Sequence, residues 1–564
     1  MESSFGKITL DDRKIIVGID FGTTFSGVAW AETRRSDHQT IIETWPSGLE
    51  TQEGMSSPKV PTELRYTAAG VEWGFQIPAL VERHQWFKLG LSERQQVASG
   101  QKSSEELTID YLQRLCEHLM YTLQQKLGES ILRTIPLEFC LTVPAIWSEV
   151  AKEKTLAACK QAGLNTTQSD ILLVSEPEAA AIYALHGLDP HGLKIGDSFV
   201  LCDAGGGTVD LISYTITQLR PILKVREAAP GTGSLCGSTF LNRRFGEFLV
   251  QKLGNEEGWE EEMLEEAMER FDSIIKKQYS HSSNTNGYTI TVPGLANNPA
   301  LGIRRGRLTI KPAEIKGIFD PIVQKVIELV KDQITATSRE IRAVLLVGGF
   351  GQNTYLKECL RTSLGSSIDV LQPPNAWTAV VRGAVMMGLA RSNPKLASVG
   401  LVSRAARKHY GTELSVEFDP ARHDDSKKYW CSRDKLYRVN ELSWFINKGD
   451  PVEESKPSRI EFCERQPVNK GSVGTVTLTV WCDEKSRVAP IHKNADGRDL
   501  VTLRGDLSHL TPSDLASMPT ELCADGNTYY LIPGTIEATF NSASTKYVLI
   551  CKGKRYDTIT AEYA

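Results

Sequence analysis

One short phrase occurs twice in this chain, and it constrains the fold more than any other feature. The first copy reads Ile16-Val17-Gly18-Ile19-Asp20-Phe21-Gly22-Thr23-Thr24, and the second Phe199-Val200-Leu201-Cys202-Asp203-Ala204-Gly205-Gly206-Gly207-Thr208. Each is an apolar strand ending in Asp, then glycines and Thr, then a second apolar strand (25–30 and 209–216). The stretch between the copies is long enough for one lobe of a domain. Glycines at such a turn carry no Cβ and admit positive φ. They let successive backbone N–H groups close on an anion, and Thr adds a hydroxyl donor. The Asp suits a phosphate only if a divalent cation lies between them; Mg²⁺ takes such oxygens directly or through water. Two copies, one per lobe, describe a clamp on a metal–phosphate group. Ordinary hairpin turns use the same residues, so a single copy would say much less.

Composition narrows the class. The chain has 564 residues, 41% hydrophobic and 24% charged, which fits folded domains rather than a disordered polymer. A net charge of −5 offers no electrostatic case for nucleic acid or an anionic membrane as partner. The first residues lack an apolar h-region, so no signal peptide is expected. No apolar run is long enough to span a bilayer, and the nearest, 379–390, contains Arg382. The eleven cysteines form no C-x-x-C pair, and Cys140, Cys202 and Cys551 lie in apolar runs. They read as reduced, buried thiols of the cytosol or nucleus. Asn165-Thr166-Thr167 fits a glycosylation sequon and reads as a turn.

Strands and helices alternate over the first part. Strands are expected at 14–20, 25–31, 38–44, 137–143 and 170–174, with helices at 105–127, 147–162 and 176–186. The plan then repeats, with strands at 198–203, 208–217, 221–228 and 343–347 and helices at 238–253, 312–336, 352–363 and 376–391. A charged helical segment (256–279) and a β-like stretch (287–310) form an insertion. Alternation of this kind implies α/β lobes with largely buried sheets. After about residue 395 short alternating runs take over (414–418, 442–446, 473–480, 535–540, 547–551), separated by turn residues such as Asp525-Gly526-Asn527 and Pro533-Gly534. This predicts a β-rich domain over 400–564. It holds one short helix within 508–518, capped by Thr511 or Ser513.

Further motifs fall between these. In Ser175-Glu176-Pro177-Glu178-Ala179-Ala180-Ala181 a strand stops at Glu176, and Pro177 suits the first position of a helix. Glu176 either favours the helix start or faces the phosphate site and positions a water. Val347-Gly348-Gly349-Phe350-Gly351 carries a strand into a glycine turn where a ribose or flat ring could lie against backbone, or is a plain strand-to-helix turn. Gly231-Thr232-Gly233-Ser234-Leu235-Cys236-Gly237-Ser238 reads as a glycine loop opening a helix and a third phosphate contact. Gly383-Ala384 permits close helix–helix approach between lobes, structural or hinge-like. Lys276 and Lys277 lie on the charged helix, where lysines are usually only solvated.

Taken in this order and spacing, the motifs resemble the ATPase domain of the heat-shock protein 70 family, within the actin and sugar-kinase superfamily, over residues 14–392. Leu141-Thr142-Val143-Pro144-Ala145 matches a strand–helix junction of that family. The resemblance implies a two-lobed actin-like ATPase with ribonuclease-H-like halves (residues 1–395; lobe one about 14–190, lobe two about 197–392) followed by the β-rich domain. It implies ATP or ADP with Mg²⁺ as cofactors. Asp20 and Asp203 would then hold the Mg²⁺ shell. Gly22, Thr23, Thr24, Gly205, Gly206, Gly207, Gly231 and Gly237 would contact phosphates. Thr208, Asp210 and Glu176 would order the attacking water, while Lys276, Lys277, Gly348, Gly349 and Gly351 would line the adenosine pocket.

There are departures. The family's catalytic lysine follows Gly-x-Ala-Ala, whereas this chain reads Gly74-Phe75-Gln76-Ile77-Pro78; Lys88 is the nearest lysine and is not assigned the role. Phe350 and Gln352 replace a Ser and an Arg usual after the adenosine glycines. The acidic-leucine linker, the helical lid and the acidic C-terminal motif have no counterpart. The whole resembles the lidless twelve-type branch, of which fungi carry many copies. Three functions compete: a slowly hydrolysing chaperone-like switch acting on client polypeptides with co-chaperones, a nucleotide-binding scaffold, and a small-molecule kinase. The first is preferred; the missing lysine favours the second, and the Glu176-Pro177 motif with the appended β domain argues against the third.

Overall fold

The computed structural model describes residues 13–48, 56–78, 80–92, 102–164, 171–187, 194–281, 287–470 and 473–557. The Asn165 sequon lies outside them. The chain divides into two compact units, Met1–Leu401 and Val402–Ala564.

The first unit holds two sheets wired alike. In one, β1 (Ile15–Asp20), β2 (Phe25–Glu32) and β3 (Thr40–Ile41) form an antiparallel meander, with β4 (Val60–Pro61) on the end of β2. β5 (Leu137–Val143) and β6 (Leu172–Ser175) then add in parallel, for an order β3-β2-β1-β5-β6. In the other, β7 (Ser198–Ala204), β8 (Val209–Gln218) and β9 (Leu223–Ser234) make the meander. β10 (Ile341–Val347) and β11 (Asp369–Leu371) follow in parallel on the β7 side, and β12 (Val399–Leu401) closes the β9 edge. Every residue of β1 and β7 is buried, because helices cover both faces, so these strands read as unbroken apolar runs. β12 carries this unit a few residues past the expected limit at 395.

Seven helices matter for the site: α1 (Ser104–Leu127), α2 (Glu149–Gln161), α3 (Glu176–Gly187), α4 (Thr239–Leu253), α5 (Pro312–Thr337), α6 (Thr354–Leu364) and α7 (Ala379–Ser392). The charged insertion is helical over Glu261–Arg270, loosens into a π-turn at Phe271–Ile275, and ends at Lys276–Gln278. A three-stranded sheet follows it (Tyr288–Thr291, Ile303–Arg304, Arg307–Ile310).

α3 and α7 cross between the sheets. Ala180, Ala184 and Leu185 of α3 and Val380 of α7 pack with Leu201, Ile212 and Tyr214 of the second sheet. Ala179 of α3 and Val381, Ala384 and Val385 of α7 pack with Ile16, Ala29 and Cys140 of the first. At the crossing Gly383 lies against the Ala179 backbone, and an added Cβ would run into its carbonyl. Small residues here set the distance between the lobes.

The second unit is a pair of sheets around one core. The first sheet contains β13 (His409–Glu417), β14 (Tyr429–Cys431) and β15 (Leu436–Ile446). β16 (Ser458–Pro467) begins the second sheet, while β17 (Thr475–Asp483) and β18 (Gly497–Asp506) complete the first in the order β14-β15-β13-β17-β18. β19 (Thr520–Leu522), β20 (Thr528–Phe540), β21 (Thr545–Cys551) and β22 (Lys554–Asp557) complete the second, with β20 between β16 and β21. Tyr530, Ile532, Ile536, Ala538 and Phe540 alternate inward along β20 and meet Val480 and Leu503 of the first sheet. The turn at Asp525-Gly526-Asn527 forms, with Gly526 at φ +86°. Thr511 rather than Ser513 caps the short helix Pro512–Ala516. The turn expected at Pro533-Gly534 is absent, because both residues lie inside β20, opposite Cys463 and Phe462. Gly534 is needed there because a Cβ would enter the Phe462 ring. Pro533 is tolerated because β21 pairing begins only at Gly534, so no ladder bond is lost on that side.

Two predictions follow from this packing. Gly383→Ala should destabilise the first unit by about 1–3 kcal/mol or more; an unchanged melting temperature would mean the helix crossing relaxes freely. In the second unit Glu537 is buried and takes hydrogen bonds from Arg459 (2.8 Å) and Arg555 (2.6 Å). The Arg555 bond leads in holding its carboxyl below the usual range, against the opposing effect of burial. A depressed folded pKa stabilises above the unfolded value and is lost as pH falls through the folded one. Glu537→Gln should therefore cost about 1 kcal/mol at neutral pH, with the difference from wild type closing as pH drops below the ordinary glutamate range. Thermal melts across that range check it; a pH-independent difference would contradict the assignment.

Candidate functional site

The twin motifs meet. Asp20 ends β1 and Asp203 lies one residue from the end of β7, so equivalent strands deliver both aspartates to the cleft between the lobes. Both are more than nine-tenths buried, as are Glu176, at the β6–α3 junction, and Asp210, on β8.

The second glycine turn is held from behind. The carbonyls of Gly205, Gly206 and Gly207 accept from the amides of Ser238, Thr239 and Gly237 at the start of α4. In a trans peptide the N–H points opposite its carbonyl, so the amides of Gly206, Gly207 and Thr208 are directed away from α4. On the other side, Cβ atoms at Gly206 and Gly207 would strike the side chains of Thr24 and Thr23. The two turns thus face each other across the lobe boundary at a distance only glycine permits. Gly237 is held equally tightly, since a Cβ there would enter the Gly206 carbonyl. Gly22 is required within its own turn, against the Phe25 carbonyl. Asp210 ties the lobes directly: its Oδ1 accepts from Ala145 N at 3.1 Å, in the Leu141–Ala145 junction.

Electrostatics in this cluster are unusual. Burial, reinforced by the charges of Glu176, Asp210 and Asp20, pushes the Asp203 carboxyl well above the usual range. Burial likewise raises Asp210, against a hydrogen bond with Thr208. Glu176 is pushed up to about 7, by burial first, with Lys88 opposing. Two lysines offset the cluster. Lys59 Nζ lies 2.6 Å from Asp20 Oδ2 and Lys88 Nζ lies 2.7 Å from Glu176 Oε1, both in buried pairs. Lys88 also stands over the Phe21 and Trp147 rings, at 5.5 and 5.2 Å. Lys88, from the short helix Phe87–Leu91, is thus the lysine that meets Glu176, while none stands at Gly74–Pro78.

Among the described residues no three His, Cys, Asp or Glu side chains are grouped to hold a metal by themselves. Two buried aspartates facing one cleft instead suit a hydrated Mg²⁺ that arrives on phosphate oxygens and keeps several waters. With all four carboxylates ionised, Lys59 and Lys88 leave an excess of negative charge, which favours a divalent cation.

The adenosine-side residues are arranged as follows. Gly348 has φ +85° and sits against Ala204 and Asp203 Oδ1. A Cβ added at Gly349 would stand 3.4 Å from Trp377 Nε1, and that ring meets Phe25 of the other lobe edge-on at 5.6 Å. Gly351 packs on Leu346, and Phe350 belongs to the lobe-two core. Lys276 pairs with Asp272 and, at 3.0 Å, with Asn242 Oδ1, while its carbonyl accepts from Asn353. Burial would raise Asp272, but Lys276, Asn242 and Lys277 together outweigh it and hold the carboxyl below its usual range. Lys277 is exposed. A cleft of about 740 Å³ is lined by Thr23, Thr24, Phe25, Trp86, Asn242 and Asp272.

One expectation needs correction. Residues 231–234 belong to β9, so the loop opens only at Leu235 and Gly231 is a strand residue. Gly233 is the one that reaches the site, opposite Asp210 and with no room for a Cβ beside Ile146 and the Val209 carbonyl. Lys59, Asn242, Asp272 and Trp377 carried no sequence signal of their own.

The Hsp70 protein family model matches residues 90–398, more than half of the chain. The chain belongs to the Hsp70 family. Its two lobes are the actin-like ATPase fold, with the β-rich region appended. It is 25% identical over 556 residues to heat shock 70 kDa protein 12A of Mus musculus, covering 79% of this chain and 80% of that protein. Heat shock 70 kDa protein 12B of Homo sapiens is 23% identical over 577 residues, covering 83% and 80%. Chaperone protein DnaK of Thermus thermophilus is 26% identical over 297 residues, covering 51% and 44%. No helix among the described residues is long and apolar enough to cross a membrane.

Asp203→Asn keeps volume while removing the charge this Hsp70 chain would turn toward a metal–phosphate group. It should weaken Mg·ATP binding by about tenfold or more without lowering stability, since it relieves carboxylate crowding. Calorimetric titration checks this; unchanged affinity would remove Asp203 from the site.

Proposed function

We propose that this Hsp70-family chain binds ATP and ADP with Mg²⁺ between its lobes, hydrolyses ATP slowly, and acts as a chaperone-like switch on client polypeptides with co-chaperones, in the cytosol or nucleus. The observation that carries the hydrolytic part is the buried Lys88–Glu176 pair, 2.7 Å long, inside the carboxylate cluster. Asp20 and Asp203 would hold Mg²⁺, which when bound neutralises phosphate charge. The amides of Gly206, Gly207 and Thr208, with the hydroxyls of Thr23 and Thr24, would bind the phosphates. Lys88 fixes the Glu176 side chain, and Glu176 with Thr208 and Asp210 would orient a water for in-line attack and take up its proton. Catalysis of this kind rests on positioning and charge stabilisation. The second reading, a nucleotide-binding scaffold, is favoured by the absence of a lysine at Gly74–Pro78.

Single-turnover phosphate release from labelled ATP separates the two. The wild type should release phosphate, and Glu176→Ala and Lys88→Met should slow release by about a hundredfold while still binding ATP. Lys88→Met strips the partner from a buried carboxylate, so Glu176→Gln serves as the variant that keeps the fold. Tight binding with release no faster than in Glu176→Ala would favour the scaffold.

A further inference from the structure

Lys59 has no part in the reading above, yet it occupies the site's centre. It directly precedes β4, which pairs with β2 through Ser26–Val60 and Phe25–Pro61. Thr62 N donates to the Thr24 carbonyl at 2.8 Å, and the Ser57 hydroxyl donates to the Lys59 carbonyl at 2.6 Å. These bonds fix the Lys59 backbone alongside the first glycine turn. Its stem crosses β2 at Gly27, where a Cβ would stand 3.2 Å from Lys59 Cγ and 3.5 Å from Cε. The ammonium ends on Asp20 Oδ2 at 2.6 Å, with both side chains less than one-tenth exposed. Thr142 donates to the other oxygen, Oδ1, at 3.4 Å. Lys59 is also close enough for its charge to favour the ionised form of Asp203. It therefore stands on the carboxylate that a divalent cation would face, within electrostatic reach of the second.

A buried carboxylate left without a cation is strongly unfavourable. As a carboxylate Asp20 is compensated here by Lys59, whose place a metal could take. Lysine is a point charge on a flexible four-carbon stem, so its head can exchange partners while its backbone stays fixed. We propose that Lys59 is a built-in counter-cation of the phosphate site: it neutralises Asp20 when no nucleotide is bound and turns to the phosphates of an entering nucleoside di- or triphosphate. Nucleotide binding then keeps much of its strength without a divalent cation. This rests on the nucleotide reading given under Proposed function.

The test is equilibrium binding of ATP and ADP to the full chain in excess Mg²⁺ and in excess EDTA. The variants are Lys59→Arg, Lys59→Met, Asp20→Asn, and Lys59→Met combined with Asp20→Asn, which leaves no unpaired carboxylate at residue 20 and is read against Asp20→Asn alone. Wild type should lose about tenfold or less on removing the metal, and Lys59→Arg should behave similarly. Lys59→Met should lose about a hundredfold or more, and in EDTA the double variant should bind about tenfold or more weaker than Asp20→Asn alone. Equal metal dependence in wild type and folded Lys59→Met, or equal affinity of Asp20→Asn and the folded double variant in EDTA, would overturn the inference and leave the nucleotide reading standing. Absence of nucleotide binding to wild type in both buffers would overturn that reading, and the inference with it.

Discussion

Asp20, Glu176, Asp203 and Asp210 are buried together where the two lobes meet, and this crowding of like charge is the constraint around which the first unit is organised. Burying charge without compensation is costly. The chain meets that cost with Lys59 on Asp20, Lys88 on Glu176, the Ala145 amide on Asp210, and protonation favoured at Asp203. None of these is a lobe-surface ornament. The three donors, Lys59, Lys88 and the Ala145 amide, come from other segments of the chain to carboxylates that the sheets place there.

Steric limits do the rest. Glycine at 206 and 207 lets the second turn meet Thr23 and Thr24, and Gly383 lets α7 lie on the Ala179 backbone. The first contact closes the lobes at the phosphate side; the second holds them at the helix crossing. α3 and α7 each pack on both sheets, so this crossing sets how far apart the sheets stand.

Much of this was legible in the residues. The repeated strand–Asp–Gly–Thr phrase foretold two sheets of equal wiring, because burial on both faces leaves unbroken apolar strands and only glycine fits the turns. Glu176-Pro177 located the β6–α3 junction for a similar reason. What could not be read was delivered by tertiary folding. Lys88 reaches Glu176 from 88 positions away in sequence, through a short helix that follows Trp86 at φ +61°. Lys59 sits in a stretch with no motif, and its role appears only once β4 pairs with β2. Gly231 was misplaced because glycine and threonine look like loop residues, whereas there they accommodate an irregular β8–β9 register. Pro533-Gly534 misled in the same way: inside β20 the glycine makes room for a ring and marks no turn.

The central claim is that the two glycine turns close on the phosphates of one nucleotide. Hydrogen–deuterium exchange of the full chain, with and without Mg·ATP, measures this at the amides concerned. The account predicts slowed exchange at residues 22–24, 205–208 and 348–349 together. Unchanged exchange at both turns under saturating nucleotide, or slowing at only one of them, would contradict it.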